Sequence, residues 1–432
     1  MSRTEAPFRR TLDIRLFESG AASSLRPVLH EAGCAVTPIG RDGPLGGRPD
    51  AFIADLRGAE RPLAALNRAR QAAGATPLIV VTGPLPQPGL AEAAERHVLV
   101  QIGRDSAPVL RALGRAVRAA DLAREAGVRL AALTALEQPL GHSETAPPAG
   151  NVALLADPGP LALETLHALS PEFGVSGVLS RTQALRALEC GDAGALIILA
   201  GSLRRDAAAL VRLIRRQSVL RDVPVVVIEK RRTPRHLDYW AHAEIDGCFT
   251  PGEIAFTCAA IRAGLRRRLM NRRLGGLLTR TVQSDAGAES RIIGSRLFDA
   301  CLAERCRRGT GPFALGAVRL RAPGGAADSA ALSEAAVYLS FGVGSEDLMA
   351  RPAADVFLFQ INSADALGAQ RTVRSLATLV GDLKFGAEDR FTTFDGEAAA
   401  CAWRPGEDAE TLVARTLSNL RGVKPPSPEP VF

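Results

Sequence analysis

Aromatic residues are scarce, 4% of 432 residues, so the cores must be built from Ala, Leu, Val and Ile instead of stacked rings. The seven cysteines, at positions 34, 190, 248, 258, 301, 306 and 401, form no C-x-x-C pair. Their scatter argues against a disulfide framework or a zinc site and fits a reducing compartment. Six histidines show no ligand spacing. No apolar run is long enough to span a bilayer, and residues 1–10 are polar, without the apolar stretch of a secretory signal. A cytoplasmic protein without membrane insertion is expected. The net charge of +7, an excess of Arg over acids, is modest for this length. A nucleic-acid role would therefore need a local basic face.

Hydrophobic residues make up 47%, ample for packed modules, and the length predicts two to four domains. Buried strand-like runs at 12–17, 35–39, 51–54, 78–82 and 97–102 alternate with helical stretches such as 24–32, 62–73 and 108–119. Such alternation predicts a parallel sheet covered on both faces. After a polar linker at 134–150 the pattern repeats, with strands at 151–156, 175–179, 195–199, 224–228 and 247–249. Two similar units in tandem are an internal duplication. An Arg-rich helical stretch at 254–280 leads to a third module at 285–421. Its mixture of helices and strands, at 296–307, 313–320, 332–339, 356–360, 364–380, 396–402 and 409–420, predicts an α+β domain. A Pro-rich tail, 422–432, closes the chain and is expected to be extended.

The first unit, taken as 10–133, resembles the receiver domains of bacterial response regulators, whose site lies at the carboxyl ends of a doubly wound sheet. Asp50-Ala51-Phe52-Ile53-Ala54-Asp55 matches the stretch that ends in the family's phosphoacceptor, so the resemblance implies Asp55 in that role. It also implies Glu18, followed by Ser19, as the remnant of an acidic pair that would hold Mg2+, and Thr82 as the phosphoryl-contacting hydroxyl. The lysine expected after the fifth strand is missing from Gln101-Ile102-Gly103-Arg104. The plain alternative is that Asp55 is an ordinary strand-end carboxylate. In the second unit, 151–268, the corresponding positions are Ala200, Glu229 and Thr250-Pro251, leaving neither nucleophile nor cation. That unit is expected to serve as a packing or dimerisation surface.

In the third module, Arg351-Pro352-Ala353-Ala354-Asp355-Val356-Phe357 resembles the R-x-G-G-[DE]-E-F hairpin of diguanylate cyclases. The whole chain resembles response regulators of the PleD/PopA type, receiver–receiver–GGDEF, and within it the cyclase-dead branch. The implied fold is two tandem receiver-like (flavodoxin-like) doubly wound parallel-sheet domains, a helical connector at 269–284, and an α+β degenerate GGDEF domain. The resemblance also marks what is degraded. Ala353 and Ala354 replace glycines that let the backbone approach phosphates, and Asp355 and Val356 leave one carboxylate of two. Arg319 stands where the first strand should carry a metal-binding aspartate. The stretches 287–294 and 321–328 also lack the family's pattern. No cyclase activity is expected. The family's inhibitory R-x-x-D becomes Gly344-Ser345-Glu346-Asp347, which keeps the aspartate and loses the arginine. Arg371 and Arg374 could supply part of a cyclic di-GMP contact, whereas the plain alternative makes Asp347 a solvated loop carboxylate.

The resemblance thus implies an adaptor or scaffold. It would be a homodimer through its receivers, gathered at a cell pole, and its cargo would belong to cell-cycle control and regulated proteolysis. The alternatives are a cyclic di-GMP effector and a DNA-binding regulator. For the latter, Arg262, Arg266, Arg267, Arg268, Arg272 and Arg273 crowd one helical stretch. The bland reading of those arginines is an inter-domain helix paired with acids on its neighbours. Trp240 is expected half-buried on a receiver face, with a docking anchor as the alternative, and Trp403 in the third core.

Overall fold

The computed structural model describes residues 10–18, 25–39, 49–83, 90–103, 105–138, 150–201, 204–286, 292–309, 311–323, 329–344, 346–362, 364–386 and 391–420. Expectations on Ser19, Arg104, Ser345, residues 139–149, 287–291, 324–328 and the tail 422–432 lie outside them. By packing the chain divides into two compact units, Met1–Ala119 with Thr145–Arg272, and Ala120–Glu144 with Arg273–Phe432.

In the first unit, strands β1 (Leu12–Glu18), β2 (Cys34–Ile39), β3 (Ala51–Asp55), β4 (Leu78–Thr82) and β5 (Val98–Gln101) form a parallel sheet in the order β2-β1-β3-β4-β5. Helices α1 (Leu25–Glu31), α2 (Pro62–Ala73), α3 (Ala91–Arg96) and α4 (Ala107–Ala135) connect or follow them. A second parallel sheet holds β6 (Val152–Leu155), β7 (Val175–Val178), β8 (Ala195–Ala200), β9 (Val225–Glu229) and β10 (Gly247–Phe249), in the order β10-β9-β8-β6-β7. Its helices are α5 (Pro160–Leu169), α6 (Arg181–Glu189), α7 (Arg204–Arg216) and α8 (Pro234–Ala241). Read from β7, the second sheet repeats the order of the first. It is the doubly wound flavodoxin-like order in both cases, so the duplication extends to topology. β3, β4 and β9 are buried at every residue, as strands covered on both faces must be. Helices α6 and α8 start where the Ser180 and Thr233 hydroxyls accept the N–H groups of Gln183 and His236.

The sequence ends the last helix of the first unit at 119; the structure continues α4 to Ala135. From Ala120 onward it packs in the second unit, where Val128, Ala132 and Leu133 share a core with Leu297 and Phe298. The packing boundary therefore falls inside α4. α9 (Ile254–Ala286) is likewise one helix across the expected boundaries at 268 and 284. Apolar periodicity marks a helix but not which core each turn joins.

The second unit adds β11 (Ile292–Ile293), α10 (Ser295–Arg308), β12 (Phe313–Arg321), α11 (Ser329–Phe341), β13 (Leu348–Ala353), β14 (Val356–Asn362), α12 (Ala366–Gly381), β15 (Asp395–Ala402) and α13 (Ala409–Ser418). The sheet order is β11-β13-β14-β12-β15, antiparallel except between β11 and β13. Along β14 the period of two sends Phe357, Phe359 and Ile361 into a core with α11 and α12, and Val356 and Leu358 into one with α10 and α13. β13 escaped the sequence reading because a proline and a bulge between Ala350 and Ala353 break its alternation.

Candidate functional site

Asp55 ends β3 with Glu18 directly opposite on β1; on the other side it pairs with Val81, so Thr82 lies one residue beyond. The sheet thus brings all three expected residues to one strand end. What the sequence reading missed is Arg57. Its Nε donates to Asp55 Oδ1 at 2.9 Å, its Nη2 to Oδ2 at 2.6 Å, and its backbone N–H to Oδ1 at 3.1 Å. Both carboxylate oxygens of the buried Asp55 are held by this fork, the strong bidentate arrangement of arginine with carboxylate. The hydrogen bond to Asp55 raises the Arg57 pKa above its ordinary value. A guanidinium already neutralises the group that Mg2+ would have to bind, so these residues do not fit the ion while the fork is closed. The signal was an arginine two residues after the strand-end aspartate. Thr82 Oγ1 is buried with no hydrogen-bond partner among the described residues. Gln101 turns to the second sheet instead, its Oε1 accepting the Cys248 N–H at 3.2 Å.

In the second sheet Glu229, at the position expected to carry a hydroxyl, is buried. Its Oε2 accepts from Arg204 Nη2 at 2.8 Å and its Oε1 from Trp240 Nε1 at 2.7 Å. This corrects the half-buried placement of Trp240, which is 0% exposed. The indole has a carboxylate to donate to, which is what lets so large a polar-tipped ring be buried. Thr250 is spent on a cap, its N–H and hydroxyl both donating to Glu253 Oε2. Arg232 forks onto the other side of the Glu253 carboxylate, at 2.8 Å to each oxygen.

In the second unit the β13–β14 hairpin sets Asp355 against β12. Arg319 pairs with Val356 in register, and its Nε lies 3.4 Å from Asp355 Oδ2. Arg351 closes the turn, donating from Nε and Nη2 to the Ala354 carbonyl. Ala353 and Ala354 are exposed and Val356 is buried. The reading of Asp347 as a solvated loop carboxylate is corrected: it is 6% exposed, and its Oδ1 accepts the Asn362 N–H at 2.9 Å. Arg371 and Arg374 are exposed on α12. Trp403 stacks on Phe313 at the edge of the third core, as expected. Among the described residues no group of three or more His, Cys, Asp or Glu gathers to hold a metal ion. No helix among them is long and apolar enough to cross a membrane.

Most of the α9 arginines within the first unit are engaged inside it. Arg262 pairs with Glu95 and Glu172; Arg266 reaches the carboxylate of Glu95 at 3.1 Å and its carbonyl at 2.5 Å. Arg267 lies 3.8 Å from Asp246, and the buried Arg268 donates to the Gly194 carbonyl at 2.7 Å. Burial, with Arg272 nearby, pushes the Arg268 pKa down to about 10. Arg272 and Arg273 are exposed.

No protein-family model and no curated protein matches the sequence. Solved structures similar to it include GGDEF domains and a receiver domain. The GGDEF domain of DgcB from Caulobacter crescentus, in complex with c-di-GMP, is 11% identical, covering 30% of this chain and 81% of its own, with a TM-score of 0.26. The FimX GGDEF domain from Pseudomonas aeruginosa is 14% identical, covering 29% and 84%, with a TM-score of 0.26. A signal receiver domain of a histidine kinase from Syntrophus aciditrophicus is 21% identical, covering 27% and 92%, with a TM-score of 0.24.

Proposed function

We propose that this chain is a non-catalytic signalling scaffold of the receiver–receiver–GGDEF type, working through protein–protein interaction. The observation that carries the reading is the Arg319–Asp355 pair, 3.4 Å apart on the strand and hairpin where a cyclase would hold metal. A dication brought within about 4 Å of that guanidinium meets a repulsion of roughly 2 kcal/mol in water and about 8 kcal/mol at an effective dielectric of 20. Both alanines of the hairpin tip add methyl groups where backbone would have to approach phosphate. The two receiver-like sites support the same reading, because Arg57 closes one and the Glu229–Arg204 pair fills the other. The finer assignment, to the PopA-like branch with cargo in regulated proteolysis at a cell pole, rests on the sequence resemblance and is part of the proposal.

The expected homodimer needs a face other than the β5 and β10 edges. Those two edge strands already contact each other within the first unit, which leaves β2 and β7 as the outer edges. As a cyclic di-GMP effector, the third domain would rely on the exposed Arg371 and Arg374, since the Asp347 carboxylate is engaged with the backbone N–H of Asn362.

Incubation of the purified chain with GTP and Mg2+ or Mn2+, with products separated chromatographically, should show no cyclic di-GMP. Turnover that disappears in Asp355→Ala would overturn the reading. Calorimetry with cyclic di-GMP separates a passive scaffold, which gives no heat at micromolar nucleotide, from a nucleotide-switched one.

A further inference from the structure

Within the second unit, α4 brings a charged pair into the core. Glu125 and Arg129, one helical turn apart, are both 0% exposed, with Arg129 Nε 2.7 Å from Glu125 Oε1. Neither sits idle in the core. Arg129 Nη1 donates to the Leu278 carbonyl of α9 at 3.1 Å, and Nη2 to the Asp347 carbonyl, at the foot of β13, at 3.0 Å. Glu125 Oε2 accepts from Asn362 Nδ2 at 3.0 Å and from Gln360 Nε2 at 3.4 Å, both on β14. Asn362 is itself tied back to the residues just before β13, its N–H donating to Asp347 Oδ1 and its amide to the Glu346 carbonyl. Arg305 of α10 stands 3.9 Å from Glu125 Oε2.

Burying ions is expensive and is recovered only when their remaining hydrogen-bonding positions are filled. Here one is filled by the Leu278 carbonyl of α9 and the others by β14 and the residue that leads into β13, the base of the hairpin that carries Arg351, Asp355 and the exposed tip. An apolar contact would have packed α4 as tightly but would have tolerated sliding; directional bonds to Asp347, Gln360 and Asn362 accept one register only.

We propose that residues 120–135 of α4 are a positioning element of the third domain, an ionic latch in which Glu125 and Arg129 set the β13–β14 hairpin. The first half of the same continuous helix, 107–119, belongs to the first unit. The proposal needs only the hairpin's geometry and stands whether or not the third domain is catalytic.

The test is hydrogen–deuterium exchange by mass spectrometry on the full chain, with the latch broken from each side. Glu125→Gln should speed exchange of amides in 348–362, and Asn362→Ala should speed exchange in 120–135, each roughly tenfold or more. Peptides of the first sheet should stay unchanged, and the double variant should add little to either single one, as coupled sites require. Additive effects, an effect on one side only, or a uniform rise across the second unit would overturn the latch. Should Asn362→Ala not fold, Gln360→Leu breaks the weaker hairpin contact and is read in the same α4 peptides. Unchanged exchange there then counts against the proposal.

Discussion

Replacing Glu229 by leucine tests whether the carboxylate at the end of β9 is a structural group of the second sheet. The carboxylate is 2% exposed and holds two donors. Removing it strands the Trp240 indole N–H in a core that offers no other acceptor among the described contacts, a cost of about 1–3 kcal/mol. The ion pair adds little, about 0–1 kcal/mol, because the Arg204 side chain is 37% exposed and can turn to water. The total is about 2.5 kcal/mol. Glu229→Gln keeps a carbonyl for the indole and loses only the pairing with the part-exposed Arg204, so it should cost under about 1 kcal/mol. Urea unfolding followed by tryptophan fluorescence in a Trp403→Phe background makes Trp240 the sole reporter, since the chain has two tryptophans. With a urea slope of about 1–3 kcal/mol/M, the leucine variant should unfold roughly 1–2.5 M earlier at unchanged slope. Coincident midpoints for the leucine and glutamine variants would show that the indole–carboxylate bond carries no weight, and the reasoning would fail.

Arg57→Ala opens the fork on Asp55. With acetyl phosphate and Mg2+, the variant should incorporate phosphoryl group at least about tenfold faster than the parent, a lower bound set by either one of the two charge-assisted bonds that are lost. The gain should vanish in Arg57→Ala/Asp55→Ala, and equal labelling of parent and variant would refute the clamp. Asp246 predicts an acid limb. Burial alone would raise its pKa, but Arg215, Arg115 and Arg267 outweigh it and hold the group below its ordinary 3.8. Its stabilisation is therefore complete above pH 3.8 and is lost as pH falls through the lower folded-state value. Asp246→Asn should cost about 3 kcal/mol at neutral pH and flatten that limb in thermal melts taken between pH 2 and 5; an unaltered pH profile would contradict the assignment.

Much of the architecture was legible because strands buried on both faces have to read as continuous apolar runs. Residues 78–82 and 195–199 show this, and the same run–helix rhythm repeating after residue 150 disclosed the duplication. The candidate positions Glu18, Asp55 and Thr82 were legible only through the resemblance to receiver domains; the apolar runs placed them at strand ends, which converge in a doubly wound sheet. Arg319 and Asp355 stood out as a resemblance with the wrong charge. Their closeness follows from β12–β14 register, which no local pattern encodes.

The tertiary structure alone decided which charges meet. Trp240 and Glu229, eleven positions apart, become buried partners, and Asp347 turns inward. Glu125 finds Asn362 across 237 positions of chain. Hydrophobic burial is set by local period, and a single sequence states it. The pairing of buried polar groups depends on which elements pack together, because a charge in a core is tolerable only beside the particular donor or acceptor that the fold delivers to it.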